Sequence, residues 1–153
     1  MFASLRYLVK TLKGLVLTRV ASLFDRTIFR TPARALIFGL AVTALVQSSS
    51  ITTSLAVPLA GAGVLTLQQI FPYTLGANVG TTVTAILAAL AVGEVSAVTV
   101  AFAHLLFNTT GILLVWPVPA IRRLPIVLAE KATEVAMMGK WIPVCWILFF
   151  FFV

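Results

Sequence analysis

Charge is what this sequence has least of. Only 10% of its 153 residues are charged, against roughly a quarter in soluble domains. Hydrophobic residues make up 61%, and the mean hydropathy is +1.11. A water-facing surface cannot be built from that composition, so an integral membrane protein is expected, with room for one membrane module. Acids are scarcer still: Asp25, Glu94, Glu130 and Glu134 are the full set, beside one histidine, His104. Between Ala35 and Ile121 there is no carboxylate pair, metal-ligand spacing or nucleophile–base pair. A Ser–His arrangement between Ser48–Ser50 and His104 lacks an acid to orient the imidazole, so no enzyme is expected. The single cysteine, Cys145, sits among apolar residues and leaves no disulfide framework or thiolate cluster. No cofactor is expected. Residues 1–34 also lack the uninterrupted apolar core of a cleavable signal peptide.

Positive charge is absent from Ala35 to Ile121. All eleven bases fall in two blocks: Arg6, Lys10, Lys13, Arg19, Arg26, Arg30 and Arg34, then Arg122, Arg123, Lys131 and Lys140. A net charge of +7 could suggest nucleic acid, but this placement is that of cytoplasmic flanks around membrane segments, facing anionic lipid headgroups. No nucleic-acid partner is expected. A multi-pass protein of the plasma or inner membrane is, with both basic blocks cytoplasmic.

Against that apolar background stand Gln47-Ser48-Ser49-Ser50, followed by Thr52, Thr53 and Ser54. Hydrocarbon offers these groups no water, and an unpaired one costs roughly 2–7 kcal/mol. They are expected to line a polar cavity. The apolar arm before them, Ala33 to Val46, has 14 residues, where a crossing helix needs about 20. The arm after them, Ile51 to Leu67, is interrupted by Pro58, Gly61 and Gly63. Two short arms meeting at a polar tip read as a re-entrant helical hairpin over 31–67, opened by Thr31-Pro32. One long helix through Gln47–Ser50 is the alternative.

The flanking segments complete an all-α membrane module. Residues 1–30 alternate bases with apolar residues as an amphipathic interfacial helix. Residues 68–92 contain Leu75-Gly-Ala-Asn-Val-Gly-Thr-Thr82. Two glycines around Asn78, with three threonines following, predict a transmembrane helix broken there, with Gly80–Thr84 opening its second half. A full transmembrane helix is expected over 95–117, a basic surface segment over 118–140 and a partial transmembrane segment over 141–153. His104 and Asn108, four residues apart, are expected to join helices. Asn108-Thr109-Thr110 matches a glycosylation acceptor by chance, at membrane depth.

Hydroxyls and exposed backbone suit two ligands. Their oxygens replace the hydration shell of a small hard cation, and N–H groups at a helix start hold an anion. Two such starts, at Ser48–Thr53 and Gly80–Thr84, would converge at mid-membrane. An oxyanion bound there without arginine needs co-bound sodium for charge.

Three stretches then carry a resemblance: Gln47-Ser-Ser-Ser-Ile-Thr-Thr-Ser54, Pro72-Tyr-Thr-Leu-Gly-Ala-Asn-Val-Gly-Thr-Thr82 with the apolar run to Leu90, and Phe107-Asn-Thr-Thr-Gly-Ile-Leu-Leu-Val-Trp-Pro-Val-Pro119. Between about Thr31 and Trp146 the chain resembles the type II sodium–phosphate cotransporter family, in particular its second repeat. The resemblance implies sodium-driven symport of inorganic phosphate by alternating access, from two inverted repeats that each carry a QSSS hairpin. It implies Ser48, Ser49, Ser50, Thr81 and Thr82 as phosphate ligands. It implies Gln47, Ser50, Thr53, Asn78 and Thr81 as sodium ligands, with sodium a co-substrate rather than a cofactor. The family often has Ser where this chain has Ala77, which removes a hydroxyl, and its coupling acid belongs to the other repeat.

One repeat cannot complete a site between two. An antiparallel homodimer is disfavoured because every base favours one orientation. A second QSSS repeat is therefore expected, on the same or another chain, and the apolar end at Val153 reads as part of a longer protein. Other readings are a non-transporting membrane subunit or scaffold, and a phosphate exporter of the same fold.

Overall fold

The structure, a computed structural model, describes residues 28–139 and 141–152. The amphipathic helix expected over 1–30 lies almost wholly outside them, as does Lys140. Among the described residues there are six α-helices and no strand: α1 Pro32–Val46, α2 Ser49–Gly61, α3 Leu67–Val92, α4 Val95–Val115, α5 Pro119–Met137 and α6 Ile142–Phe152. They fall into two compact units, one through Ile112 and one from Leu113.

In the first unit each helix starts where the local chemistry dictates. Thr31, extended, accepts the Arg34 N–H on its hydroxyl at 3.3 Å, and Pro32 occupies the first turn, where its missing N–H costs nothing. Thr66 and Gln69 form a capping box at the head of α3: the Thr66 N–H donates to Gln69 Oε1 at 2.9 Å and the Gln69 N–H to Thr66 Oγ1 at 3.3 Å. Gly93, with φ 76°, ends α3 in a left-handed cap that L side chains rarely adopt.

The expected break in the 68–92 segment does not exist. From Leu67 to Val92 α3 runs for 26 residues without interruption, about 39 Å at 1.5 Å per residue. The glycines around Asn78 serve packing instead. A methyl on Gly76 would collide with the Leu36 carbonyl oxygen, and one on Gly80 would sit 2.6 Å from Thr43 Cβ and 2.7 Å from the Leu40 carbonyl oxygen. Gly39 of α1 abuts the Tyr73 carbonyl in the same way. Ala35, Gly39 and Thr43, four apart, are the buried stripe of α1. They face Gly76, Ala77 and Gly80 of α3, a small-residue seam that lets two backbones approach closely. Each interior glycine costs about 1 kcal/mol of helix propensity, which close packing along the seam offsets.

The register of that seam fixes the topology. Leu36 lies against Gly76 and Leu40 against Gly80, so α1 and α3 run in the same direction. The head of α3 then lies near the level of the head of α1, and α2 must carry the chain back between them. Phe29, Ala35, Ala56, Leu65 and Tyr73 form the buried core where the three helices meet. The rings of Phe29, Phe38 and Tyr73 stand 5.8–6.2 Å apart, centroid to centroid, within the favoured range for aromatic pairs.

Helices α3 and α4 are each long and apolar enough to cross a bilayer. Along α4 Ala101 is the one buried residue, while Val100, Leu106, Phe107, Leu113 and Leu114 are exposed. The core helix of a soluble protein would be buried throughout; an apolar helix exposed all round suits lipid.

In the second unit α5 buries nothing. Ile121, Leu124, Leu128 and Val135 are exposed and share one face by helical spacing, opposite Arg122, Arg123, Glu130 and Glu134. The Arg122 guanidinium lies 5.0 Å over the Trp116 ring, a cation–π contact. Helix α6 spans 11 residues, about 16 Å.

Candidate functional site

The polar tip is a helix–bend–helix. Helix α1 stops at Gln47, whose φ of 56° and ψ of 26° place it in the left-handed region, and the Gln47 N–H donates back to the Thr43 carbonyl at 2.7 Å. Among the described residues no other non-glycine has positive φ. Such a conformation costs on the order of 1–3 kcal/mol and persists only where its surroundings enforce it. Ser48 is then extended and caps α2, its hydroxyl accepting the Ile51 N–H at a long 3.4 Å. This geometry rules out one continuous helix through Gln47–Ser50.

The bend leaves donors free. The first bond into α2 runs from the Thr52 N–H to the Ser48 carbonyl at 3.1 Å, so the Ser49 and Ser50 N–H groups are the unpaired donors of a helix start. The Ser49 side chain is partly exposed and that of Ser50 exposed. Gln47 is exposed as well. Free N–H groups, serine hydroxyls and a helix dipole equivalent to about half a positive charge are chemistry suited to an anion.

The threonines are committed differently. Thr53 donates its hydroxyl hydrogen to the Ser49 carbonyl at 2.8 Å, and Thr52 donates to the Ser48 carbonyl at 3.0 Å. On α3, Thr81 donates to the Ala77 carbonyl at 3.1 Å and Thr82 to the Val79 carbonyl at 2.6 Å. Each keeps oxygen lone pairs for a cation but has no hydrogen left for an anion. Thr82 is wholly buried, whereas Asn78 is exposed.

The seam sets the two segments at related heights, with Gly80 against Thr43, one turn before the bend. No hydrogen bond links Gln47–Ser50 to Asn78–Thr82. Because α3 is unbroken, Gly80–Thr84 opens no second helix start, and among the described residues only Ser48–Thr53 opens a helix at the polar tip. Among the described residues His104 and Asn108 make no side-chain bond to another helix: Asn108 Nδ2 is buried without a partner, and His104 is exposed.

Two residues outside the expected set belong to this region. Tyr73 is 4% exposed, and its hydroxyl donates to the Thr52 carbonyl at 2.8 Å, tying α2 to α3. A tyrosine inside an apolar helix signals such a bond in advance, since its O–H needs a partner when buried. Thr43 is fully buried with an unpartnered hydroxyl, and nothing in its local sequence marks it.

Comparison with known proteins settles the family: residues 1–115 match the Na+/Pi-cotransporter family. The chain belongs to that family. It is 40% identical to the sodium-dependent phosphate transport protein 2B of Mus musculus over 95% of its length and 22% of the relative's. Against the human 2B protein the identity is 40%, covering 95% of this chain and 23% of the relative. Against the 2A protein of Ovis aries it is 41%, covering 94% and 24%. The chain thus spans about a quarter of the length of the curated relatives it matches. No solved structure matches it significantly.

Proposed function

We propose that the chain is one repeat of a sodium-coupled phosphate symporter, acting with a second QSSS repeat on the same or another polypeptide. The observation that carries this reading is the strained Gln47 bend, which opens α2 with the free N–H groups of Ser49 and Ser50. Arms of 15 and 13 residues reach about 20–22 Å, short of a hydrocarbon core of roughly 30 Å. The α1–α2 hairpin therefore enters the membrane and returns on one side, with its tip at depth. Helices α3 and α4 cross, and both basic blocks lie in the cytoplasm of a multi-pass protein.

Charge decides the coupling. A phosphate group carries roughly one and a half to two negative charges at neutral pH, and one helix start offers only about half a positive charge. There is no lysine or arginine between Ala35 and Ile121 to supply the rest. Sodium ions do so, together with a second helix start from the other repeat. Ser48, Ser49 and Ser50 hold the anion. The oxygens of Gln47, Ser50 and Thr53, with Asn78 and Thr81, serve sodium. Thr81 accepts a cation without surrendering its bond to Ala77, whereas an anion would require breaking it. Thr82 lies inside the fold and supports rather than touches the ligand.

Reconstitution tests this reading. Liposomes carrying the chain alone are expected to take up no radiolabelled phosphate. Liposomes carrying it with a chain that bears the other QSSS repeat are expected to show uptake in sodium but not in choline, abolished by Ser49→Trp. Uptake that ignores sodium, or survives Ser49→Trp, contradicts the assignment.

A further inference from the structure

Helix α2 carries the anion-binding donors but is held by little. Its buried residues are few, Thr52, Ala56 and Pro58, with Leu59 partly buried against the core. Ile51, Leu55 and Val57 point outward, 54–56% exposed. Apolar contact is non-directional, so these few small contacts do not by themselves set the rotation of α2 about its axis or its slide along α3 with the sharpness of a hydrogen bond. Donors at a binding site must be held far more tightly, to within about 0.5 Å.

A directional link is present at the height that matters. Tyr73 belongs to the seam: its carbonyl abuts Gly39, and its ring is packed with Phe29 and Phe38. From that fixed base its hydroxyl donates to the Thr52 carbonyl at 2.8 Å. Thr52 in turn donates both its N–H and its hydroxyl to the Ser48 carbonyl, at 3.1 and 3.0 Å. Three hydrogen bonds thus run from the α1–α3 seam to the residue that caps α2. We infer that Tyr73 is a positioning residue for the anion cradle: through Thr52 it fixes the height and rotation of the first turn of α2, and so the aim of the Ser49 and Ser50 N–H groups. Tyr73 touches no ligand. Its role rests on the reading of the bend as a phosphate site.

The test uses the full chain in lipid nanodiscs together with a chain that bears the other QSSS repeat, comparing wild type with Tyr73→Phe, which keeps the packed ring and removes only the hydroxyl. Amide hydrogen exchange is followed in α1, α2 and α3, and amide shifts of Ser49 and Ser50 are followed during titration with inorganic phosphate in sodium buffer. Loss of one such bond is expected to speed exchange in the first turns of α2 about three- to tenfold. The apparent Kd for phosphate should rise by a similar factor, with exchange in α1 and α3 and the total helix content unchanged. Unchanged exchange in α2 overturns the inference, and so does acceleration spread equally over the three helices, which marks general stabilisation. If exchange quickens in α2 alone but the phosphate Kd stays the same, the aiming role is refuted. A wild-type assembly of the two repeats that gives no phosphate response in sodium sinks the phosphate reading instead, and the exchange pattern then judges the clamp by itself.

Discussion

Replacing Gly80 by alanine separates the two roles a glycine can play inside α3. A methyl at this position would stand 2.6 Å from Thr43 Cβ, whereas carbon atoms pack at about 3.5–4.0 Å. Helices α1 and α3 would have to part by about 1 Å along the seam, and overpacking of this kind costs roughly 1–3 kcal/mol. Alanine also recovers about 1 kcal/mol of helix propensity, so the variant alone is ambiguous. Gly111→Ala supplies the reference. Gly111 is interior to α4 with nothing within 4 Å of an added Cβ, so that variant gains propensity and meets no neighbour. The propensity terms cancel in the comparison, leaving the contact. Gly80→Ala should therefore be less stable than Gly111→Ala by about 1–3 kcal/mol, a factor of roughly 5 to 150 in the unfolding equilibrium. Reversible unfolding in mixed micelles, followed by far-ultraviolet circular dichroism, measures it. Equal stability of the two variants would refute the seam.

Thr43→Val removes a buried hydroxyl that has no partner and keeps the shape, so it should be neutral or stabilising by about 1 kcal/mol. Thr52→Val, which deletes a donor to the Ser48 carbonyl, should instead destabilise by about 0.5–1.5 kcal/mol. Both are read from the same unfolding curves; a destabilised Thr43→Val shows that the hydroxyl is paired after all. Gln47→Gly relieves the positive φ and should stabilise the bend by about 1 kcal/mol. It also removes a proposed sodium ligand, so a higher sodium concentration should be needed for phosphate to shift the Ser49 and Ser50 amides. An unchanged sodium requirement takes Gln47 out of the cation site.

The bend and its neighbours were legible because membrane physics constrains them heavily. A 14-residue apolar arm cannot cross a bilayer, Gln47–Ser50 cannot face lipid, and Thr31-Pro32 is a helix start by its own chemistry. Helix α3 was misread because Gly76 and Gly80 around Asn78 suit either unwinding or packing, and one segment alone does not choose. The answer lay in a second one: Ala35, Gly39 and Thr43 repeat the four-residue spacing of Gly76 and Gly80, and two such stripes read together predict a seam. The back-bonding of Thr81 and Thr82 follows from the same continuity, since an intact helix offers each hydroxyl a carbonyl in the preceding turn. Tyr73 signals a hydrogen bond but not its partner, which is a backbone carbonyl 21 residues away that no side-chain pattern announces.

Titration with phosphate of the chain assembled in nanodiscs with a chain that bears the other QSSS repeat, observed at the backbone amides of Ser49, Ser50 and Ile51 by nitrogen-15 correlation spectroscopy, reaches the proposed anion cradle most directly. The expected result is a saturable shift of these amides in sodium buffer that is absent in choline and absent with Ser49→Trp, while the amides of α4 stay still. Shifts of equal size without sodium, or none at these three positions at any phosphate concentration, would contradict it.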